Sequence, residues 1–521
     1  MLINVNSAKC IGLDAVPVIV EVDIVQGIGI HLVGLADTAV KESLLRTITA
    51  LQALDYKIPG RKIVINLAPA DLHKSGSGYD LPIATGIIAA SGQGSFSSLG
   101  DYLIMGELGL DGTVRDIAGA LPVADLARAR GMKGCILPLR SALEAADFRD
   151  IDVFGVRTLW DVVRILSDPA SSEDMLVWNT EDWRENRLRR ENGGQNAGPE
   201  LDFADIIGQE GAKRGVEIAA AGGHNIIMMG PPGSGKSSLA KAMAGILPAM
   251  THEESVVTSK IYSVAGRFES ASGLIRTRPF RTPHYSASLP AMIGGGAGEN
   301  IQPGEITLAH GGVLFLDEFN QMPKSVIEAL RGPLEDRKVT VSRLRSKIEY
   351  PASFMLVAAS NPCPCGYYGE GDRCTCTTAQ RITYLSKLSG PILDRIDMQI
   401  WLHPVDSGKM LERRKGESSA AVAERVLKAR TVQKERFIKE GIFTNSEMNN
   451  RQIEKFCPLS SGCSTVLEKI MSRSGMSMRA FFRIIRVART IADLDGSEDI
   501  CPGHIIEAAG YRFLDKQNLG G

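Results

Sequence analysis

The glycine-rich octet at residues 230–237 constrains this chain more than any other feature. Its residues are Gly230, Pro231, Pro232, Gly233, Ser234, Gly235, Lys236 and Ser237. A strand-like run precedes the octet, and a helix-like run beginning at Ser238 follows it. This order is typical of the phosphate-binding P-loop, in which backbone N–H groups and a helix N-terminus face an anion. The octet and Ser238 are therefore predicted to bind a nucleoside triphosphate, with Lys236 on its β- and γ-phosphates and Ser237 on Mg²⁺. A Gly-Pro turn that happens to precede a helix is the alternative.

Bulk composition limits the class of protein. The chain has 521 residues, of which 44% are hydrophobic and 23% charged, so about three ordinary globular domains are expected. The sequence contains no apolar run near the roughly 20 residues of a membrane helix and no recognisable secretory signal, so we expect a cytoplasmic protein without membrane contact. The net charge of -1 excludes a global basic field, and nucleic acid would have to bind local patches.

The pattern of apolar residues divides the chain into four parts. Residues 1–167 alternate strand-like and helix-like segments and predict an α/β domain, with Asp37 capping one of its helices. Residues 168–202 are polar and glycine-rich towards their end, which favours a linker. Residues 203–405 form the predicted nucleotide-binding core, and residues 406–521 are helical in pattern and end in a short glycine-rich tail.

Polar residues follow two apolar strands downstream of the octet. Asp317 and Glu318 end the first strand, and Asn361 ends the second. In a P-loop ATPase one carboxylate holds Mg²⁺ and the next polarises the attacking water, so we assign the metal to Asp317 and the base to Glu318. Asn361 is a candidate for holding the water or sensing the γ-phosphate. An acidic first helical turn would be the structural alternative for the two acids.

Two arginines further along the chain are candidates for the transition state. Arg395, within the sequence LDRID, is a candidate arginine finger, since a guanidinium stabilises charge on the γ-phosphoryl oxygens. A surface ion pair with a flanking aspartate is its alternative. Arg479 begins a basic stripe on a predicted lid helix and could touch nucleotide phosphates, although a solvated basic face explains the same pattern.

These residues, in this order, resemble those of AAA+ ATPases, and the flanking segments resemble the magnesium-chelatase-like ComM/YifB family. The segments are GGHN at 222–225, IYSVAG at 261–266, RPFRTPHYSAS at 278–288, PGEITLAHGG at 303–312 and NPCPCG at 361–366. The resemblance covers nearly the whole chain. It implies an α/β fold with a P-loop AAA+ core and a helical lid.

The resemblance also implies a function. The helix-two-insert clade, which includes the chelatase motor subunit and the MCM helicases, forms ring motors driven by ATP and Mg²⁺. The ComM branch is understood as a hexameric DNA helicase that promotes branch migration in homologous recombination and natural transformation, so single-stranded or branched DNA is the expected partner. By the same resemblance Arg395 acts on the neighbour's nucleotide, Arg479 is a second sensor, and residues 278–300 face the channel. A protein-remodelling ATPase like the chelatase motor is the alternative.

Basic residues cluster at the predicted turn of a hairpin over residues 337–350. Arg343, Arg345 and Lys347 would form a collar around a ring and bind DNA phosphates without reading sequence. An ordinary solvated turn is the alternative that the residues alone favour, and the family resemblance reverses that preference. Arg278 and Arg281 are weaker candidates of the same kind.

Four of the nine cysteines crowd into one short stretch. Cys363, Cys365, Cys374 and Cys376 form two C-x-C pairs that could hold a structural Zn²⁺. Reduced thiols that only stabilise a tight loop are an equal alternative, because the usual spacing is C-x-x-C. The odd total of cysteines in a cytosolic chain argues against a disulfide framework.

The N-terminal part resembles the Lon protease domain, which has the ribosomal S5 domain 2-like fold. The resemblance rests on YDLPIA at 79–84, MGELGLDG at 105–112 and IAGALP at 117–122. Lon places its nucleophilic serine near Ile83 of this chain and its lysine near Leu121, so the Ser–Lys mechanism is absent. A displaced dyad of Lys74 with Ser75 or Ser77 would be a poor substitute. A scaffold without protease activity is therefore expected.

Overall fold

The computed structural model describes residues 2–34, 37–193, 201–268, 273–296, 301–342, 347–404 and 416–516. They form an N-terminal α/β domain, a second α/β unit around a parallel sheet, and a helical C-terminal unit. Among these residues no helix combines the length and the apolar character that crossing a membrane requires.

The N-terminal domain packs helices against a four-stranded and a three-stranded sheet. Its strands are β1 Ile3–Ile11, β2 Asp14–Val25, β3 Ile30–Val33, β4 Lys62–Ala68, β5 Tyr102–Ile104, β6 Glu107–Leu108, β7 Val114–Arg115, β8 Gly134–Pro138 and β9 Asp152–Val156. Its helices are α1 Thr38–Ala53, α2 Asp80–Ala90, α3 Ala120–Ala129, α4 Leu139–Leu143 and α5 Leu159–Ser167. The larger sheet has the order β1-β2-β4-β3, and β5-β8-β9 are parallel. Asp37 caps α1 by accepting a hydrogen bond from the Val40 N–H at 2.8 Å, as its sequence position predicts.

The segment expected to be a polar linker contains helical structure. Short 3-10 helices span Ala170–Met175 and Val177–Asn179, and helix α6 spans Glu181–Gly193. The guanidinium of Arg149 lies 4.6 Å from the Trp178 ring and 5.0 Å from the Trp183 ring. Cation–π contacts of this kind hold the segment on the N-terminal domain, and the partner Arg149 is too distant in sequence for a periodicity argument to find it.

The second unit is built on a five-stranded parallel sheet. Its strands are β10 Ile226–Met229, β11 Phe280–Arg281, β14 Val313–Leu316, β17 Met355–Ser360 and β18 Met398–Trp401, in the order β11-β14-β17-β10-β18. Two hairpin pairs stand outside it, β12 Gly294–Gly295 with β13 Gln302–Pro303 and β15 Lys338–Ser342 with β16 Lys347–Pro351. After β10 the chain crosses to β11 at one edge of the sheet. Later strands return to pair with β10, β17 on one side and β18 on the other. Ligands bind at the carboxyl ends of strands at such a crossover.

Helices cover this sheet and form the C-terminal unit. Those around the sheet are α7 Glu210–Gly222, α8 Lys236–Ala244, α9 His252–Val264, α10 Leu289–Ile293, α11 Glu305–Leu308, α12 Lys324–Ala329, α13 Arg331–Asp336, α14 Thr378–Leu385 and α15 Gly390–Leu393. The C-terminal unit, here called the lid, contains α16 Ser419–Arg436, α17 Asn450–Phe456, α18 Ser461–Ser474, α19 Met478–Leu494, α20 Pro502–Gly510 and α21 Phe513–Lys516. The lid and α7 share one hydrophobic core with the sheet.

The N-terminal domain docks on the second unit through α3 and α9. The Gly119 N–H donates to the Ser263 carbonyl at 3.0 Å, and Lys260 Nζ lies 2.5 Å from Asp125 Oδ2. A second contact joins the β1–β2 turn to the β15–β16 hairpin. At Gly12 an added Cβ would stand 3.1 Å from Ile348 Cγ2, so the turn fits closely against β16.

Candidate functional site

The P-loop lies at the carboxyl end of β10 and wraps around its own lysine. Lys236 Nζ donates to the carbonyls of Gly230 and Pro231 at 2.7 and 2.9 Å. Gly233 and Gly235 have φ values of +77° and +91°, a region that disfavours other residues. Burial lowers the pKa of Lys236, and the nearby Asp317 carboxylate opposes that shift. A polyphosphate would replace the two carbonyls with partners that match the charge of the lysine.

The two acids that follow β14 stand at the same edge of the sheet. Ser237 Oγ donates to Asp317 Oδ2 at 2.9 Å, so the two oxygen ligands predicted for Mg²⁺ are adjacent. The N–H of Glu318 donates to Asp317 Oδ1 at 2.8 Å, and Glu318 has a φ of +49°. A left-handed conformation is uncommon for a glutamate and is found where a site dictates the backbone.

Asn361 follows the adjacent strand β17 and completes the group. Its Oδ1 accepts from Lys236 Nζ at 3.2 Å. The structure therefore brings Lys236, Ser237, Asp317 and Asn361 into one connected set and places Glu318 beside it. This is the arrangement that strand ends in a parallel sheet make possible.

Two neighbours of the site were not found from the sequence. Gln209 has a φ of +60°, and its Nε2 donates to the carbonyls of Ser234 at 3.0 Å and His403 at 2.6 Å, which ties the P-loop to the chain after β18. Burial raises the pKa of the Tyr384 hydroxyl, and Ser360 beside it opposes that shift. The Gly208-Gln209 pair before α7 is a signal that could have indicated the first residue. No sequence signal distinguished Tyr384.

Arg395 and Arg479 lie at the opposite edge of the sheet. Arg395 precedes β18, and its carbonyl accepts from Asn225 Nδ2 at 3.4 Å at the amino end of β10. Four strand residues separate that edge from the P-loop, about 13 Å at 3.3 Å per residue. Arg395 is ion-paired with Glu335, and Arg479 NH1 lies 3.6 Å from Asp394 Oδ2. Both arginines line a cavity of about 690 Å³ between the sheet and the lid.

Three of the four arginines in the basic stripe of α19 face the protein interior, namely Arg483, Arg486 and Arg489. Arg483 is ion-paired with Asp397, whose side chain is 2% exposed, and Arg489 Nε donates to Asp493 Oδ1 at 3.0 Å. The Asn225 N–H donates to Asp397 Oδ2 at 3.0 Å. Burial alone would raise the pKa of Asp397, but the neighbouring cations, led by Arg483, hold it well below its usual range. A single carboxylate therefore connects the lid helix with the start of the P-loop strand.

The four clustered cysteines converge in the loop after β17. Cys363 Sγ lies 3.3 Å from Cys365 Sγ and 3.8 Å from Cys374 Sγ, and the last two are 3.7 Å apart. All four sulfurs lie within 4.8 Å of one another. Backbone hydrogen bonds, led by that of Tyr367, lower the pKa of Cys365 to about 6, whereas burial raises that of Cys363 to about 12. The nine cysteines form no disulfides.

Tetrahedral zinc requires a particular spacing between its four sulfurs. With Zn–S bonds of about 2.3 Å, the sulfurs stand about 3.8 Å apart, which the observed separations approach. A disulfide would need about 2.05 Å. The cluster is therefore compatible with a zinc ion.

The predicted DNA-binding residues fall only partly on the described structure. Lys347 begins β16 with its side chain 67% exposed, whereas Arg343 and Arg345 lie outside the described residues. Arg278 bonds to Glu254 and to the carbonyls of Pro248 and Gly311. Arg281 Nε donates to Glu305 Oε2 at 2.7 Å, and Phe280–Arg281 is a strand of the parallel sheet. These two weaker candidates thus have intramolecular partners.

The N-terminal domain has no protease dyad among its described residues. Ile83 and Leu121, at the two positions matching the Lon dyad, are both fully buried. Lys74 Nζ donates to the Pro69 carbonyl, and Ser77 Oγ donates to Glu107, so this lysine and serine have separate partners. The Lon-like part of the chain therefore supports a shared fold, and a scaffold without protease activity stays a prediction.

Four features together define a P-loop ATPase of the AAA+ class. They are the strand order of the parallel sheet, the P-loop, the two acids after β14 and the lid. The family models agree: "Magnesium chelatase, subunit ChlI" matches residues 202–410, "Subunit ChlI of Mg-chelatase" matches 20–141, and the ChlI C-terminal model matches 416–512. The chain belongs to the ComM/YifB family of magnesium-chelatase-like AAA+ ATPases, which confirms the family and the fold class predicted from its motifs.

Similar proteins cover the chain to different extents. "Competence protein ComM" of Haemophilus influenzae is 42% identical over 98% of this chain and 97% of its own length. "Uncharacterized protein YifB" of Escherichia coli is 41% identical over the same shares, 98% and 97%. "Lon protease 2" of Bacillus subtilis is 31% identical over 26% of each chain, in keeping with a partial relationship.

Proposed function

We propose that this chain is an ATP-driven ring motor, a hexamer, that moves on DNA as a helicase and promotes branch migration during recombination and natural transformation. The observation that carries the proposal is the division of the ATPase machinery between two edges of one sheet. Lys236 and Asp317 stand at the carboxyl edge, while Arg395 and Arg479 stand at the amino edge. A second copy that docks its amino edge on the first would complete the site.

In this proposal the P-loop binds the phosphates of ATP, and Ser237 and Asp317 hold Mg²⁺. Glu318 takes a proton from the water whose oxygen bonds to the γ-phosphorus. The bond from that phosphorus to the β,γ-bridging oxygen breaks, and ADP and phosphate leave. Arg395 of the neighbouring copy leaves its ion pair with Glu335 and stabilises the charge on the γ-phosphoryl oxygens. Arg479 of the same neighbouring copy contacts this nucleotide from its own lid.

Mixing two inactive variants tests the shared site directly. Lys236→Ala removes the phosphate contact but keeps the arginines, and Arg395→Ala does the reverse. In a ring of random composition, about one interface in four combines an intact P-loop with an intact arginine, so a 1:1 mixture should regain about a quarter of wild-type ATP turnover. Each variant alone should be inactive. A mixture as inactive as its components would show that Arg395 does not act on a neighbour.

Similarity over the full length to a protein named for competence supports DNA as the substrate. The hairpin β15–β16 carries an exposed Lys347, and with Arg343 and Arg345 it would present a basic collar to the phosphates of the strand in the channel. A motor that consumes ATP and acts on chromosomal or incoming DNA works in the cytoplasm, where we place it.

ATP hydrolysis measured without DNA, with single strands and with a four-way junction tests this substrate. Stimulation should be strongest on the junction. The triple variant Arg343→Ala, Arg345→Ala, Lys347→Ala should lose the stimulation and keep the basal rate, and the control Lys428→Ala, an exposed lysine on α16, should keep both. A rate indifferent to every DNA would favour the alternative function, remodelling of a protein client as by a chelatase motor.

We further propose that the four cysteines bind one structural Zn²⁺. The sulfurs of Cys363, Cys365 and Cys374 stand 3.3–3.8 Å apart and all four lie within 4.8 Å of one another, which supports this ligand set. The Cys365 N–H also donates to Cys376 Sγ at 3.4 Å. Thiolates that accept backbone hydrogen bonds carry their charge at lower cost. Elemental mass spectrometry of the purified protein should find about one zinc per chain, and a chain without metal would contradict the assignment.

A further inference from the structure

The cysteine loop, residues 363–376, touches the P-loop directly. At Gly366 an added Cβ would stand 2.8 Å from Cδ and 3.0 Å from Cγ of Pro232, so the glycine backbone lies against the proline ring. Gly366 has a φ of +88°, and its N–H donates to the Cys363 carbonyl at 3.0 Å. The residue that contacts the P-loop is therefore fixed by the same turn that presents the first two sulfurs.

A second connection runs through Asn361. Its side chain accepts from Lys236 Nζ at 3.2 Å, and it stands two residues before Cys363. The position of the Asn361 backbone depends on β17 on one side and on the cysteine loop on the other. Whatever holds the loop thus restrains both the ring of Pro232 and the amide that contacts the P-loop lysine.

We infer that the cysteine loop, with zinc bound, holds the P-loop in the conformation that binds phosphate, so that occupancy of the Cys363–Cys376 metal site sets the affinity for ATP. This inference rests on the proposed zinc site. Backbone N–H groups bind phosphate only when they converge, and a loop that drifts weakens all of them together. Four thiols without a metal are joined only by weak sulfur–sulfur contacts, so the support that the loop gives to Gly366 and Asn361 is weaker. By thermodynamic linkage, bound nucleotide must equally strengthen the hold on zinc.

Removing the metal from the full chain tests the inference. Zinc is withdrawn with a chelator, excess Mg²⁺ is restored, and binding of a fluorescent ATP analogue is measured before and after zinc is added back. Coupling between two sites is usually about 5- to 150-fold, and we expect the dissociation constant to rise about tenfold without zinc and to recover with it. Circular dichroism records whether the fold survives. An unchanged dissociation constant in a folded, zinc-free chain would overturn the inference and leave the zinc site itself standing.

A pair of glycine variants in the cysteine loop separates a change in the contact with Pro232 from general damage to the loop. Gly366→Ala places a methyl group against Pro232, whereas Gly371, with a φ of +54°, has no atom within 4 Å of an added Cβ. Both variants are expected to keep zinc, and only Gly366→Ala is expected to weaken nucleotide binding. Equal affinities in the two variants would overturn the inference. Metal analysis that finds no zinc would end the proposal at its first step, while ATP binding in that protein would leave the ATPase proposal intact.

Discussion

Asp397 is the residue at which the lid can be loosened with the smallest change in shape. Its carboxylate is 2% exposed, is ion-paired with Arg483 of α19, and accepts from the Asn225 N–H at 3.0 Å. Asp397→Asn keeps the volume and removes the charge. Breaking a buried ion pair from one side costs about 3–5 kcal/mol because the remaining charge is left without its counter-ion. At about 2–4 °C per kcal/mol, the thermal midpoint of the sheet and lid should fall by roughly 6–20 °C.

The direction in which the free energy of unfolding changes with pH follows from the depressed pKa of Asp397. A carboxyl whose pKa is lower in the folded than in the unfolded state contributes stability above its unfolded value, about 3.9, and loses it as pH falls through the folded value. At pH 7 the full contribution is present, so this is the pH for the comparison.

The assay is thermal unfolding followed by circular dichroism, with Glu424→Gln as the control. Glu424 also pairs with a cation on the lid, Lys428 at 2.9 Å, but its side chain is 68% exposed, so its loss should cost less than about 1 kcal/mol. Arg483→Gln and the double variant complete a mutant cycle, whose coupling free energy should exceed about 2 kcal/mol. If Asp397→Asn melts with the control, or the two changes are additive, the carboxylate does not hold the lid.

Three further changes test the site and the domain junction. Lys236→Ala should abolish binding of a fluorescent ATP analogue, because the phosphates lose their cation; tight binding in this variant would refute the P-loop assignment. Glu318→Gln should bind ATP, assemble and fail to hydrolyse it, and normal turnover would place the base elsewhere. Glu144 directly follows α4 and is buried near Ser263 of α9, at the junction of the two units. Burial raises its pKa to about 8 from 4.5, so the stability tied to its protonated form is present below about pH 4.5 and lost as pH rises to about 8. Glu144→Gln should therefore gain about 2–4 kcal/mol over the wild type between pH 5 and pH 9 in urea unfolding, whereas a constant difference would contradict this account.

The nucleotide-binding part of the site could be predicted because its signals are local. The octet fixes the loop, and Asp317 and Asn361 each end an apolar run, which in a parallel sheet places them at one edge. Nothing in those runs states the order of the strands. The adjacency of β17 and β10, which lets Asn361 contact Lys236, became visible only in the structure.

Long-range partners account for most of what the sequence did not show. The arginine stripe of α19 has the spacing of a solvated face, yet Arg489 is 3% exposed because Asp493 and two carbonyls surround it. The segment that contains α6 is polar, and its two tryptophans, Trp178 and Trp183, pack around Arg149. Charge and periodicity describe a residue's own neighbourhood, while these residues are placed by elements far away in the chain.

The tight fit of Gly12 against Ile348 has a consequence for how this architecture can evolve. The β1–β2 turn of the N-terminal domain packs on β16 of the hairpin, and α3 packs against α9. Exchange or deletion of the N-terminal domain would expose the surface of the second unit that α3 and the β1–β2 turn now cover. It would also remove a contact that supports the β15–β16 hairpin. The two parts must therefore change together, because a substitution in the β1–β2 turn or on α3 has to be matched by one on β16 or α9.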